Sequence, residues 1–257
     1  LVLNSKNSQI SGSFDFKDRN IVDAQEDVKI KSSIGRWNNS QIKVTAGKTL
    51  DLKDNQWLTQ GTLTKTGGSM NLENMVWTLT DDTTYTSDTD TEIKTLLLND
   101  NVLELGSADS DVTVADNMTF NTSTERLSSG LASITLENSI SLEDGAISST
   151  GGFVYLQKGG NQSGGELDVT SGTLKLGDDY SKSGGTLTST ETGTTLELTD
   201  NLTLTSNTSL TILSLALNDY TLSLGSETSG LIVGGPFSMD NTDEQILVNS
   251  ADLTLKG

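Results

Sequence analysis

Five carboxylates crowd the stretch TDDTTYTSDTDTE: Asp81, Asp82, Asp88, Asp90 and Glu92. Asp88, Asp90 and Glu92 alternate, so on a strand they would share one face. Clustered carboxylates can hold Ca²⁺, which takes six to eight oxygen ligands. This makes calcium the one cofactor the sequence suggests. The same run also reads as a solvated acidic face, because neither an EF-hand loop nor the glycine-rich calcium repeat accompanies it. Trp37, Trp57 and Trp77 fall 20 residues apart, twice, and form a second candidate site. An exposed ladder of rings at that spacing would bind the faces of sugars. The competing reading is packing, since Trp77 shares strand parity with Met75 and Leu79.

Catalytic chemistry has little to work with. The chain of 257 residues contains no His and no Cys, which removes the commonest general base and the thiolate nucleophile. Glycosidases need two carboxylates at a set separation, but among 35 acidic residues some pair will always qualify. Arg19, Arg36 and Arg126 lie in no motif, and there is no GxSxG and no P-loop. No catalytic residue is therefore assigned. A net charge of −19 argues against nucleic acid and anionic membrane surfaces as partners. No apolar run reaches the ~18 residues of a membrane span. The chain starts at Leu1, and we expect it to be a piece of something longer.

The elements that must carry these residues are short strands. Apolar–x–apolar pairs recur at Leu167/Val169, Leu174/Leu176, Leu196/Leu198, Leu202/Leu204, Leu210/Ile212, Leu222/Leu224, Leu231/Val233 and Phe237/Met239. A period of two places one face of each strand inward. Asp178-Asp179, Asp200-Asn201, Asn218-Asp219 and Asp240-Asn241 recur about every 20 residues, as corner residues would. One proline in the whole chain fits a structure in which nearly every strand is paired on both sides. At a larger scale, residues 77–121 align without a gap to 196–240, with 18 identities in 45 positions at an offset of 119. LLLNDNVLELGS thus returns as LALNDYTLSLGS. Repetition at a fixed period of 20–50 residues is the mark of a solenoid.

We therefore expect an all-β chain forming a single elongated parallel β-helix of about 12 coils of ~21 residues. Residues 1–41 would be a less regular lead-in. Residues 42–257 would form the solenoid, as two similar blocks of about 42–166 and 167–257 that duplicate a unit of roughly six coils. The alternative is two tandem β-sandwiches, since 119 residues approach the size of one.

Strings such as SGGTLTST (183–190), VTSGTLKLGDDY (169–180) and TDNLTLTS (199–206) resemble bacterial right-handed parallel β-helix surface proteins. These are autotransporter passengers, filamentous-haemagglutinin-like exoproteins and giant repetitive exoproteins. The resemblance covers roughly residues 42–257. It implies an extracellular or cell-surface location and a structural or adhesive role, as a rigid spacer or display surface. The implied partners are a host surface, a glycan or neighbouring copies of the same protein. The alternative function is a polysaccharide-binding or polysaccharide-cleaving β-helix of tail-spike or lyase type.

The alternation makes Leu103, Leu105, Leu196, Leu198, Leu222 and Leu224 core residues. Leu198→Ala should cost about 2–5 kcal/mol of unfolding free energy. Thr203→Ala, between Leu202 and Leu204, should cost far less. Urea denaturation of the two variants measures the difference.

Overall fold

The computed structural model describes residues 1–5, 8–16, 20–31, 34–53 and 56–256. Among them every regular element is a strand, and the strands pair in parallel. They form a β-solenoid of about 11 turns, roughly 21 residues apart. Parallel stacking rules out the tandem sandwiches, whose sheets are antiparallel.

One coil shows the plan. The strand Gln56–Asn71 bends around three sides of the rod. Its residues 56–59 pair with 76–79 and its residues 61–65 with 83–87, while 69–71 pair with 49–51 of the coil before. These sides are the first, second and third faces. The lead-in already coils on the same plan: residues 14–16 pair with 35–37 on the first face, 2–3 with 23–24 and those with 43–44 on the second, and 28–29 with 50–51 on the third.

The inward positions are those the alternation marks. Leu103, Leu105, Leu196, Leu198, Leu222 and Leu224 are all buried, and Thr203 is half-buried. On the third face Leu136, Leu156, Leu176 and Leu198 stand directly over one another in register, each fully buried. Burying one such side chain stabilises by about 1.5–3 kcal/mol, and it is dry only because coils lie above and below. The pair Phe237/Met239 shows the converse. Residues 236–240 form no strand, and Met239 is 46% exposed. Its repeat partner Met118–Phe120 is covered by Ile140–Leu142, whereas no strand covers 237–239 among the described residues.

The 119-residue repeat holds at the level of register. Leu103 pairs with Thr83 and Leu222 with Leu202; Val112 pairs with Thr91 and Leu231 with Leu210; Thr95 pairs with Val76 and Ser214 with Thr195. The faces do not correspond. Strand Val102–Leu105 continues the second face, but its counterpart Thr221–Leu224 continues the first. Residues 76–79 lie on the first face, and their counterpart Thr195–Leu198 lies on the third. The first face recurs at Thr95–Leu97, Met118–Phe120, Ile140–Leu142, Gly160–Gln162 and Tyr180–Lys182, so the offset spans five coils and two more faces. The second block is thus rotated by one face, a third of a turn, instead of repeating after six whole coils.

Asp and Asn do make the corners. Asp178-Asp179, Asp200-Asn201 and Asn218-Asp219 each separate a third-face strand from a first-face strand. The Asp179 carboxylate accepts the Thr203 N–H of the next coil at 2.6 Å, and the Asn201 side-chain oxygen accepts that of Thr221 at 2.7 Å. Asn99, Asp100, Asn218 and Asp219 take φ of 50°, 66°, 52° and 70°, a region short polar residues tolerate through local hydrogen bonds. Asn99 donates to the Leu79 carbonyl and Asn218 to that of Leu198, so the same corner has moved to another edge of the rod. Elsewhere Gly145, Gly165 and Gly185 turn successive coils with φ of 70°, 61° and 63°; a Cβ on Gly165 would sit 2.5 Å from the Asp144 carbonyl oxygen.

Because their surroundings are alike, Asn99→Ala and Asn218→Ala should cost the same, about 1–2 kcal/mol each. The corresponding Asn→Gly changes should cost less. Urea denaturation of the four variants reads the comparison.

Candidate functional site

The tryptophans are a correction to the sugar-platform reading. Trp37, Trp57 and Trp77 are 1%, 0% and 0% exposed. They join Phe14, Phe16 and Tyr85 in a continuous internal column, with neighbouring ring centroids 4.9–6.0 Å apart. Rings enclosed by coils on every side offer no face to a sugar. Tilted and edge-on contacts of this kind add about 0.5–1.5 kcal/mol per pair beyond area burial. Trp77 Nε1–H donates to Thr59 Oγ1 at 2.7 Å, while Trp37 and Trp57 bury theirs without a protein acceptor. The even spacing of 20 is not a stacking register: Trp57 lies over Trp77, but Trp37 pairs with Thr59.

The acidic stretch is corrected as well. Asp88 and Asp90 fall in the bend between Val76–Ser87 and Thr91–Ile93, so they do not alternate with Glu92 on one strand. Among the described residues no three carboxylates gather to hold a metal ion. Most are engaged elsewhere. Asp81 caps the Asp82 N–H at 2.8 Å, and Asp82 accepts the Val102 N–H at 2.9 Å, the counterpart of the Asn201 corner. Asp88 accepts the Gly67 N–H at 2.7 Å and the Lys65 ammonium at 2.9 Å. Of the arginines, Arg36 and Arg126 are exposed and Arg19 lies outside the described residues.

What the acidic stretch does is close a corner over a buried lysine. The Lys65 side chain is fully enclosed and donates to the carbonyls of Gly67 and Gly68, to Thr89 Oγ1 and to Asp88, at 2.6–2.9 Å. An ammonium without such partners would be strongly destabilised inside the rod. Burial pushes the Asp88 carboxyl up, but the Gly67 N–H and the Lys65 charge outweigh it and hold its pKa below the ordinary value. Lys182 repeats the device. It is 3% exposed, stacks against Ser206 as Lys65 does against Ser87, and donates to Asn207 and Thr208. Those two are the repeat counterparts of Asp88 and Thr89. Asn207 is neutral, and burial lowers the Lys182 pKa. Both lysines sit at inward parity, two residues after Leu63 and Tyr180. That parity was the signal in the sequence.

Beyond this corner the ladder of the third face opens. Strand Thr91–Ile93 pairs upward with Val112–Val114, and after a bend at Lys94 the strand Thr95–Leu97 pairs downward with 76–78. Residues 69–71 pair with the coil before. Among the described residues no strand pairing joins 69–71 to 91–93. The gap is a cleft of about 750 Å³, its walls including Met70, Glu73, Glu92, Lys94, Asp116 and Glu137.

No family model, no curated protein and no solved structure matches this chain.

Because the Asp88 pKa is depressed on folding, its contribution to stability is complete above the ordinary carboxylate pKa of ~4 and is lost as pH falls through the folded value. Melting temperatures measured from pH 7 to pH 2 should therefore fall less steeply at the acid end for Asp88→Asn than for the unaltered protein.

Proposed function

We propose that this chain is a stiff structural segment of a secreted or cell-surface protein, holding other parts at a distance and presenting its faces for adhesion. The observation that carries the reading is the shared apolar core of the stacked coils, in which Leu136, Leu156, Leu176 and Leu198 stand in register over four successive coils. Each coil buries its apolar slice only against its neighbours, so bending the rod would expose leucines. About 11 coils at ~4.8 Å make a body roughly 50 Å long. Its net charge of −19 repels parallel copies and keeps the outer faces from sticking indiscriminately. The resemblance to bacterial β-helix surface proteins supports an extracellular setting and a bacterial source.

Small-angle scattering from the isolated chain should give a rod of constant cross-section and about that length. Polysaccharide panels assayed for reducing ends should show no release. A flexible scattering profile would overturn the spacer reading, and cleavage of any glycan would favour a polysaccharide-active β-helix instead.

A further inference from the structure

The open ladder on the third face exposes backbone groups that face a gap. In a parallel pair, a strand residue directs both its N–H and its C=O to the same neighbour. Thr91 N–H donates upward to Asp111 O, and Ile93 O accepts from Ala115 N–H. The Glu92 N–H and C=O therefore point the other way, into the cleft. From the opposite wall, Asn71 O accepts the Leu52 N–H of the coil before, which turns the peptide groups of Met70 toward the same cleft. Two strand edges thus confront each other, neither paired with the other. The second block contains the same break, and there it is bridged. Leu210–Ile212 pairs upward, Ser214–Ala216 pairs downward, and the Ser189 hydroxyl donates to Thr211 O at 2.6 Å. Thr211 is the repeat counterpart of Glu92.

We propose that the cleft between residues 69–71 and 91–93 is a strand-addition site for an extended peptide segment rich in Lys or Arg. Open strand edges recruit extended chains through main-chain hydrogen bonds, with alternate side chains supplying selectivity. The volume of about 750 Å³ lies within the ~300–1,000 Å³ range of ligand pockets. The walls carry Glu73, Asp90, Glu92, Asp116 and Glu137 against Lys94, five negative charges and one positive, a net of −4. That charge selects a basic segment and rejects an acidic one. This site is independent of the spacer reading, because a rod that captured no peptide would keep its stiffness.

The probe is a fluorescein-labelled octapeptide, (Thr-Lys)₄, titrated into the whole chain and read by anisotropy. We expect saturable binding, at least tenfold weaker for (Thr-Glu)₄ and for (Thr-Lys)₄ carrying N-methyl groups at alternate amides. Glu92→Pro removes the N–H that faces the cleft while leaving the bonds of Thr91 and Ile93 to the next strand, as proline at a sheet edge permits. It should weaken binding at least tenfold. In the unaltered protein, the peptide should slow hydrogen exchange at the Met70 and Glu92 amides, which keeps the test independent of how well the proline variant folds. Absence of saturable binding would overturn the proposal. So would equal binding of the N-methylated peptide, which indicates charge attraction alone, or unchanged exchange at both amides.

Discussion

The constraint on which this structure depends is that each coil lies in register on the next, about 4.8 Å away. A side chain pointing inward therefore meets the side chains one coil above and one below it, together with those reaching in from the other faces, as Trp77 meets Tyr85. The column Leu136, Leu156, Leu176 and Leu198 is the simplest solution. The aromatic column from Phe14 to Tyr85 is another, filling the early coils with large rings. One polar group in the core is a stack whose members bring their own partners. Gln162, Lys182 and Ser206 stand one over another on the first face. Tyr180 donates its hydroxyl to Gln162, Gln162 donates to the Thr186 carbonyl, and Lys182 reaches Asn207 and Thr208.

The same constraint explains how a duplicated segment can sit a third of a turn away from its first copy. A strand-and-corner unit senses its inward neighbours and the coil beneath, and the three faces offer nearly the same surroundings. Register, left-handed Asn-Asp corners and serine pairs survive the rotation. Ser107 and Ser110 meet under the Ser87 carbonyl as Ser226 and Ser229 meet under that of Ser206. What rotation changes is the surface direction of each copy, so the outward residues of the two blocks look out from different sides of the rod.

Function is confined to what a stacked rod leaves available: its outer faces and the places where stacking lapses. The bend at Lys94 and its counterpart Leu213 make such lapses, because the chain there passes from a strand bonded upward to one bonded downward. Around the first lapse the acidic walls stay open. Around the second, the Ser189 hydroxyl spans the gap.

Much of this was legible in the sequence, because stacking acts through local periods. Alternating Leu marked the core, Asp and Asn pairs marked corners, and the 119-residue echo marked duplication. Residues whose role depends on what lies one coil away were not legible. Trp37, Trp57 and Trp77 share a spacing with exposed ladders, and only the enclosing coils show them to be buried. Asp88, Asp90 and Glu92 alternate in the sequence, but a bend separates Asp88 and Asp90 from the strand that carries Glu92. Lys65 lies at core parity, but the partners that make its burial possible are on the next coil and at the corner. A period of two tells which way a side chain points; whether an ammonium, an indole or a carboxylate is stable there depends on the hydrogen-bond partners that stacking brings from about 20 residues away, and tertiary structure alone supplied those.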